Sequence, residues 1–484
     1  MVMGVADFVG QFNWSRWSAT LAHHTLPWSD QGDTSAAATD GSVLPGVASA
    51  SFLAGYTPVA GGAAPAGTVV FIDPTAAAGG NGSQAKPYNN WSFGTLQAGT
   101  TYLQRAGTVF TGVIHDTTVG SAAAPVVIGA YGAGAAPVID GSVDFSGASY
   151  AVFAGFHLTS LSYAAVIIQQ GSTHIDVASN AITGSAQGIW IGNQAGGGNW
   201  VRDNTVVGSA GAGILVASTL SSQAAPTVIS HNLVSGSGND GIQVASDYIT
   251  VSGNRLSGNG LQAPGSSGIH VFASSATSGG GQHDRIIGNV SVYNQDRQLQ
   301  DGNGILLDQW TGHNVVSGNF AMGNDGAGIA VYDSTGNVIR DNVLTGNGLD
   351  PAHTHSIHAD LVLNQVLGLT THNAVLDNTV LSERADGEAV FVAAAPAQAA
   401  NAFRGNVLEN LAGPGIYDLA GTIGADLHVW NGNGAADQFS GVTISTPASG
   451  MAYAYAFSGQ KALHLDGHLV HLTGWTPSGG LFGT

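Results

Sequence analysis

Cysteine is absent from this 484-residue chain, so neither disulfides nor thiolate metal sites hold its fold, and sulfur gives no indication of the redox compartment. Positive charge is scarce: 11 Lys and Arg stand against 30 Asp and Glu, a formal net charge of -19 at pH 7. That balance repels nucleic acid and anionic membrane surfaces and argues against both as partners. No run of about 18 apolar residues occurs, so membrane insertion is not expected. The opening MVMGVADFVGQFNWSRW also lacks the basic start and continuous apolar core of a secretory signal. Charged residues make up only 8%, while hydrophobic residues reach 44% and Gly numbers 72. The apolar residues alternate regularly with polar ones, which excludes a disordered chain.

What is present is a repeat. Asparagine recurs at one point of a unit nine times: Asn180, Asn204, Asn232, Asn254, Asn289, Asn319, Asn342, Asn378 and Asn406. Each follows an apolar residue three positions earlier, as in VIRDNVL over 338–344. The intervals of 24, 28, 22, 35, 30, 23, 36 and 28 residues describe a minimal unit with loops of unequal length added, the signature of stacked coils. The Asn column itself reads as structural, its amides bonding backbone and neighbouring Asn at the coil bend.

Between consecutive Asn lies a second apolar run, G-I-x-V, as in Gly268-Ile269-His270-Val271 and Gly304-Ile305-Leu306-Leu307. Strand side chains alternate, so the Ile and the residue two after it should face inward. The outward column then reads Trp190, Leu215, Gln243, His270, Leu306, Ala330, His358 and Tyr417. Two residues on, the same face continues with Gly192, Ala217, Ala245, Phe272, Asp308, Tyr332 and Asp360. Three parts are expected: an irregular segment over 1–66 that lies along or caps the solenoid, coils over 67–412, and a final coil with capping strands over 413–484.

Two early segments, FIDPTAAAGGNGSQAKPYNNW (71–91) and AAPVVIGAYGAGAAPVIDGS (123–142), carry a resemblance. They resemble the first coils of right-handed parallel β-helix proteins of the pectate lyase type, particularly the branch with alginate lyases and chondroitinase B. The resemblance spans roughly 68–412 and implies an all-β fold, a right-handed parallel β-helix solenoid. It further implies a polysaccharide partner, with a Lys base, an Arg acid and Ca²⁺ neutralising a uronate. The chain departs from that pattern: its lysines are Lys86 and Lys461, outside the ladder, and its outward column holds no Arg. Glycoside hydrolases, mannuronan C5-epimerases, phage tailspikes and adhesins belong to the same superfamily, so the fold does not fix the activity.

Polar groups of the outward face and its turns concentrate in four successive coils. These carry His270; then Asp301, Asn303 and Asp308; then Asp325, Tyr332 and Asp333; then His353, His355, His358 and Asp360. Long connections over 255–267, 290–303 and 343–355 precede three of these strands and should wall a groove. The expected activity is that of a lyase or C5-epimerase removing the C5 proton of a uronate-containing polysaccharide. His270 or His358 would be the base, and Tyr332 would donate or accept a proton. Asp301, Asp308 and Asp333 are oxygen ligands suited to Ca²⁺. Trp310 offers a stacking platform, and Arg297, Asn303 and His355 offer contacts to substrate.

The first alternative is glycoside hydrolysis. Asp308 and Asp360, two coils apart, would stand about 9.5 Å from one another, while Asp308 with Asp333 would approach the shorter retaining distance. The second alternative is a noncatalytic tailspike-like or adhesin-like glycan binder. For Asp301, Asp325 and Asp333 a simple turn-forming role competes with any chemistry. The His353–His358 run reads as surface or substrate contact in preference to a zinc site. A polymeric substrate implies an extracellular or cell-surface setting.

Overall fold

The computed structural model describes residues 68–160, 163–277, 279–295, 301–350, 359–382, 388–393, 401–404 and 406–410, and five further short strands between 416 and 472. Within this span the chain winds in coils of three short strands, exemplified by Arg285–Ile287, Val290–Val292 and Ile305–Leu307. Every strand of one coil pairs in parallel with its counterpart in the next. One sheet stacks thirteen strands from Thr68–Ile72 to Ala402–Arg404. The other two columns are joined into a single 23-stranded sheet, because the nine-residue strand Val138–Ser146 pairs with both His157–Thr159 and Ala164–Gln169.

The alternation expected of the G-I-x-V runs holds. Ile189, Ile214, Ile242, Ile269, Ile305 and Ile329 are fully buried and stack coil on coil, as do Ile191, Val216, Val244, Val271, Leu307 and Val331 two residues later. Each fully buried side chain contributes roughly 1.5–3 kcal/mol.

The bend before the second strand is built by a left-handed residue followed by the ladder Asn. Asp203, His231, Asp341 and Asp377 have φ of 56, 55, 56 and 53°, and Gly253, Gly288 and Gly318 take the same place with φ of 64, 62 and 64°. Non-Gly residues adopt this conformation at a cost, which the following amide offsets by satisfying the exposed backbone. Asn319 shows the pattern: its Oδ1 accepts from Asn289 N at 2.9 Å and Asn289 Nδ2 at 3.0 Å. Its Nδ2 donates to Ile286 O and to Asn342 Oδ1, both at 2.9 Å.

Two more ladders run beside this one. Asn259, Asn294, Asn324 and Asn347 hand hydrogen bonds from coil to coil at the next bend, and the series ends on Asp360. Asp284, Asn314, Asn337, Asn373 and Asn401 do the same at the bend before the first strand.

The register of one coil differs from expectation. Ile329, Ala330, Val331 and Tyr332 pair with Leu361, Val362, Leu363 and Asn364. The outward residue beside Ala330 is therefore Val362, and the residue beside Tyr332 is Asn364 and not Asp360. His358 and His355, like His353 and Arg297, lie outside the described residues, as does the segment 1–66. Outward Leu306, Ala330 and Val362 are fully buried and, with Ala327 and Ala359, form an apolar cluster separate from the coil core.

Parallel pairing continues past 412 through Ile416–Asp418 and His428–Trp430. The chain divides into two compact units, 57–440 and a second comprising 1–56 with 441–484. In the second, Val442–Ser445 and Ala462–Leu465 both pair antiparallel with His468–Leu472. Among the described residues no helix is long and apolar enough to cross a membrane.

Candidate active site

His270 sits mid-strand in Ile269–Val271, pairing with Gln243 on one side and Leu306 on the other. It faces out of the coil yet is 9% exposed. Two carboxylates flank its ring: Nδ1 lies 3.4 Å from Asp240 Oδ1 and Nε2 lies 3.3 Å from Asp308 Oδ2. The Asp240 contact is an ion-pair separation without hydrogen-bond geometry, whereas the Asp308 contact is an ion pair and a hydrogen bond. Burial pulls His270 toward its neutral form, but the two carboxylates more than reverse this, and its pKa is raised to about 10. His270 is therefore an imidazolium at neutral pH, which makes it a cation and proton donor. The base role expected of it does not fit that charge state.

Asp240 is the anchor. Its side chain is 1% exposed, and its Oδ1 also accepts the Ser267 amide at 2.7 Å. Sequence reasoning missed it, because an Asp immediately before Gly241 reads as a turn residue. Asp308, by contrast, keeps its side chain 23% exposed and is the reachable carboxylate of the set.

Asp308 follows the strand Ile305–Leu307, and Tyr332 ends the neighbouring strand Ile329–Tyr332 at the matching position. Burial, and then the nearby charges of Asp301 and Asp308, push the Tyr332 hydroxyl far above its ordinary pKa, against a hydrogen bond from Asn364 that favours the phenolate. Tyr332 is held protonated. Phe272 packs against His270 with ring centroids 5.0 Å apart, closing the apolar side of the imidazolium.

Several expected roles are corrected by these contacts. Asp360 is fully buried at a coil bend, where its Oδ1 accepts the backbone N of Asn347 at 2.9 Å and its Nδ2 at 2.7 Å. It substitutes for a ladder Asn, so it does not share the column of Asp308 and forms no carboxylate pair with it. Asp333 is 2% exposed and turns both oxygens onto the loop that follows Asn364, accepting Val366 N and Leu367 N at 2.7 Å each. Neither oxygen is turned outward for a metal or for pairing with Asp308. Asn303 is also buried: its Oδ1 accepts Ala327 N at 2.9 Å and its Nδ2 donates to Asp301 Oδ1 at 3.2 Å, which leaves the amide structural and not substrate-binding.

Trp310 falls in the turn beyond the strand, with φ of 62°, so strand alternation does not set its direction. Its carbonyl accepts Gln282 Nε2 at 2.8 Å. The calcium set does not assemble either. Asp308 faces an imidazolium, Asp301 binds Asn303 and Asp333 binds the loop, and no group of three or more His, Asp or Glu among the described residues could hold a metal ion.

The comparisons with known proteins bear on the fold. The family described as the right handed beta helix region matches residues 141–319 and 226–366. No curated protein matches. Among solved structures, the chain is similar to the GH136 lacto-N-biosidase from Eubacterium ramulus at 13% identity, covering 72% of this chain and 68% of that one with a TM-score of 0.49. It is similar to a mannuronan C-5 epimerase A-module from Azotobacter vinelandii at 16% identity, covering 66% and 87% with a TM-score of 0.48. An alginate lyase from Paenibacillus is 15% identical, with 66% and 91% covered and a TM-score of 0.38. Parallel coils, stacked Asn ladders and the family match agree on the fold, a right-handed parallel β-helix.

Proposed function

We propose that this protein is an enzyme acting on a polysaccharide, with its chemistry at Asp308, His270 and Tyr332 on the outer face of the coils. The observation that carries this reading is the clamped imidazolium: a histidine 9% exposed, held charged between a buried carboxylate and a reachable one, beside a tyrosine kept protonated. Such a set costs desolvation and is maintained where proton transfer needs it.

The charge balance favours glycoside hydrolysis of a neutral glycan. Asp240 and Asp308 flank the single positive charge of His270, and Asp301 with Asp308 acts on neighbouring Tyr332, so carboxylates outnumber the imidazolium. A net negative site stabilises the oxocarbenium-like transition state of glycosidic cleavage, and it opposes the carboxylate of a uronate. In this reading Asp308 supports the developing cation or activates water, and His270 fixes its orientation. Tyr332 supplies the proton-donating edge.

A second reading, uronate β-elimination or C5-epimerisation, is favoured by the position of Tyr332, which ends its strand beside Asp308 and carries a hydroxyl that can exchange a proton with carbon or with a departing oxygen. In that case the uronate needs a cation beyond His270, a role open to Arg297. An extracellular or cell-surface setting accompanies either reading. A panel of neutral and acidic polysaccharides, assayed for ultraviolet absorbance of unsaturated uronides and for new reducing ends, separates them. Hydrolysis gives reducing ends without absorbance, and Asp308→Asn removes the activity. Activity at the parent rate in that variant would overturn the site.

A further inference from the structure

The outer column that holds His270 runs on toward the N-terminal coils, and it does not become featureless there. Passing backward, His270 pairs with Gln243, Gln243 with Leu215, and Leu215 with Trp190, and all three of these side chains are partly exposed. Trp190 is not simply an outward aromatic. A Cβ placed on Gly192, the residue just past the strand Gln187–Ile191, would stand 2.4 Å from Trp190 Nε1 and 2.7 Å from its Cε2. The indole therefore lies down along the sheet in space that only glycine leaves open. Tyr163, 52% exposed, meets it edge-on with ring centroids 5.8 Å apart and planes at 89°. The result is a ring laid flat on the sheet with a second ring standing as a wall.

Two coils further back the same column reaches Asp144, through Ile167. Asp144 Oδ1 accepts Ser146 Oγ at 2.8 Å and Gln169 Nε2 at 3.0 Å, while its Oδ2 lies 3.4 Å from Nδ1 of exposed His115. Flat aromatic surface bordered by oriented carboxylate and amide groups is the combination that receives a sugar ring, whose C–H face is apolar and whose edge is a row of hydroxyls. At about 4.8 Å per coil, Trp190 lies roughly 14 Å from His270 and Asp144 roughly 24 Å. No chemistry is placed in the interval, so this patch is separate from the candidate active site.

We propose that Trp190, Tyr163 and the Asp144–Gln169 pair form a remote subsite that binds further sugar units of the same glycan chain, aligning a long polymer with the coil axis. The proposal rests on the polysaccharide reading above but not on which bond is broken. Its test uses the full chain carrying Asp308→Asn, so that binding is read without turnover. Hexasaccharides of β-1,4-linked glucose, mannose and xylose, with hexamannuronate as the acidic counterpart, serve as probes in calorimetric titration. Trp190→Ala should weaken binding of the best hexasaccharide about tenfold, the scale of one aromatic platform. It should leave disaccharide binding unchanged. Gly192→Ala, which lifts the indole while keeping it, should reproduce the loss.

Equal affinity in parent and Trp190→Ala protein, or no binding of any probe, overturns the subsite. Trp190-dependent binding in a chain that turns over no glycan supports the subsite and refutes only the catalytic reading.

Discussion

Asp284 stands where its ladder neighbours are Asn, and the difference is one atom. Its Oδ1 accepts Ile249 N at 2.7 Å as an Asn oxygen would, but its Oδ2 occupies the amide position and is buried without a hydrogen-bond partner. Burial, with some help from Asp247, raises its pKa well above 3.8. The folded chain then keeps a proton that the unfolded chain releases, so the stability contributed is greatest below 3.8 and falls as pH rises toward the raised folded value. Asp284→Asn restores a donor at that position. It should raise stability at pH 8 by roughly 1–3 kcal/mol, the cost of one unsatisfied buried polar group, and change little at pH 4. Denaturant titration at both pH values reads this, and a variant with the parent's pH dependence would show that Asp284 is not the titrating group.

His270 shifts in the same direction, but here the favoured protonated form is the charged one. Its folded pKa of about 10 exceeds the ordinary 6.5, so its contribution is complete below 6.5 and is lost as pH rises through 10. Replacing the anchor by Asp240→Asn should move the imidazolium titration to lower pH, visible by NMR of the ring carbons. It should also lower kcat/KM roughly 10²-fold, with its alkaline limb displaced the same way. A merely structural Asp240 would leave the ring titration where it is.

At the scale of elements, the first ladder was legible because its Asn recurs behind an apolar residue. The other two were equally written and went unread. Asn314, Asn319 and Asn324 stand five residues apart, and so do Asn337, Asn342 and Asn347, so the pattern N-x4-N-x4-N marks all three bends of a coil. Missing it had a direct consequence. Ser356-Ile357-His358-Ala359 imitates the G-I-x-V run, but the strand is Ala359–Asn364, and a ladder counted from Asn347 would have placed Asp360 at the bend. Periodicity assigns a face only when the register is right, since a shift along the strand exchanges inside and outside.

The same distinction predicts mutational outcomes. Asp360→Asn should keep the fold and the activity, whereas Asp308→Asn keeps only the fold. Turnover abolished by Asp360→Asn in a folded chain would reverse that assignment. Asn319→Ala removes four ladder hydrogen bonds, two of them to the buried backbone groups Asn289 N and Ile286 O of the preceding coil. A loss of roughly 2–5 kcal/mol in denaturant unfolding is expected from two or more such groups at about 1–3 kcal/mol each.

At the scale of the whole molecule, the Asn spacing foretold the solenoid and the composition its acidic charge, while the function of that acidity depends on where charges meet. A net charge of -19 spread over a long surface acts at a distance, and the site adds its own excess of carboxylate over imidazolium. Both fields repel an acidic glycan and leave a neutral one indifferent. Screening shrinks the Debye length from about 30 Å at 0.01 M salt to about 3 Å at 1 M. For a neutral substrate, kcat/KM should therefore stay flat as salt is raised across that range. For an acidic one it should climb, because salt removes a barrier to encounter. Excess chelator should leave the neutral-glycan rate unchanged, since the described carboxylates are engaged with His270, Asn303 and loop amides. An acidic glycan turned over faster than every neutral one at 0.01 M salt, with activity abolished reversibly by chelator, would require a bound cation and transfer the assignment to uronate chemistry.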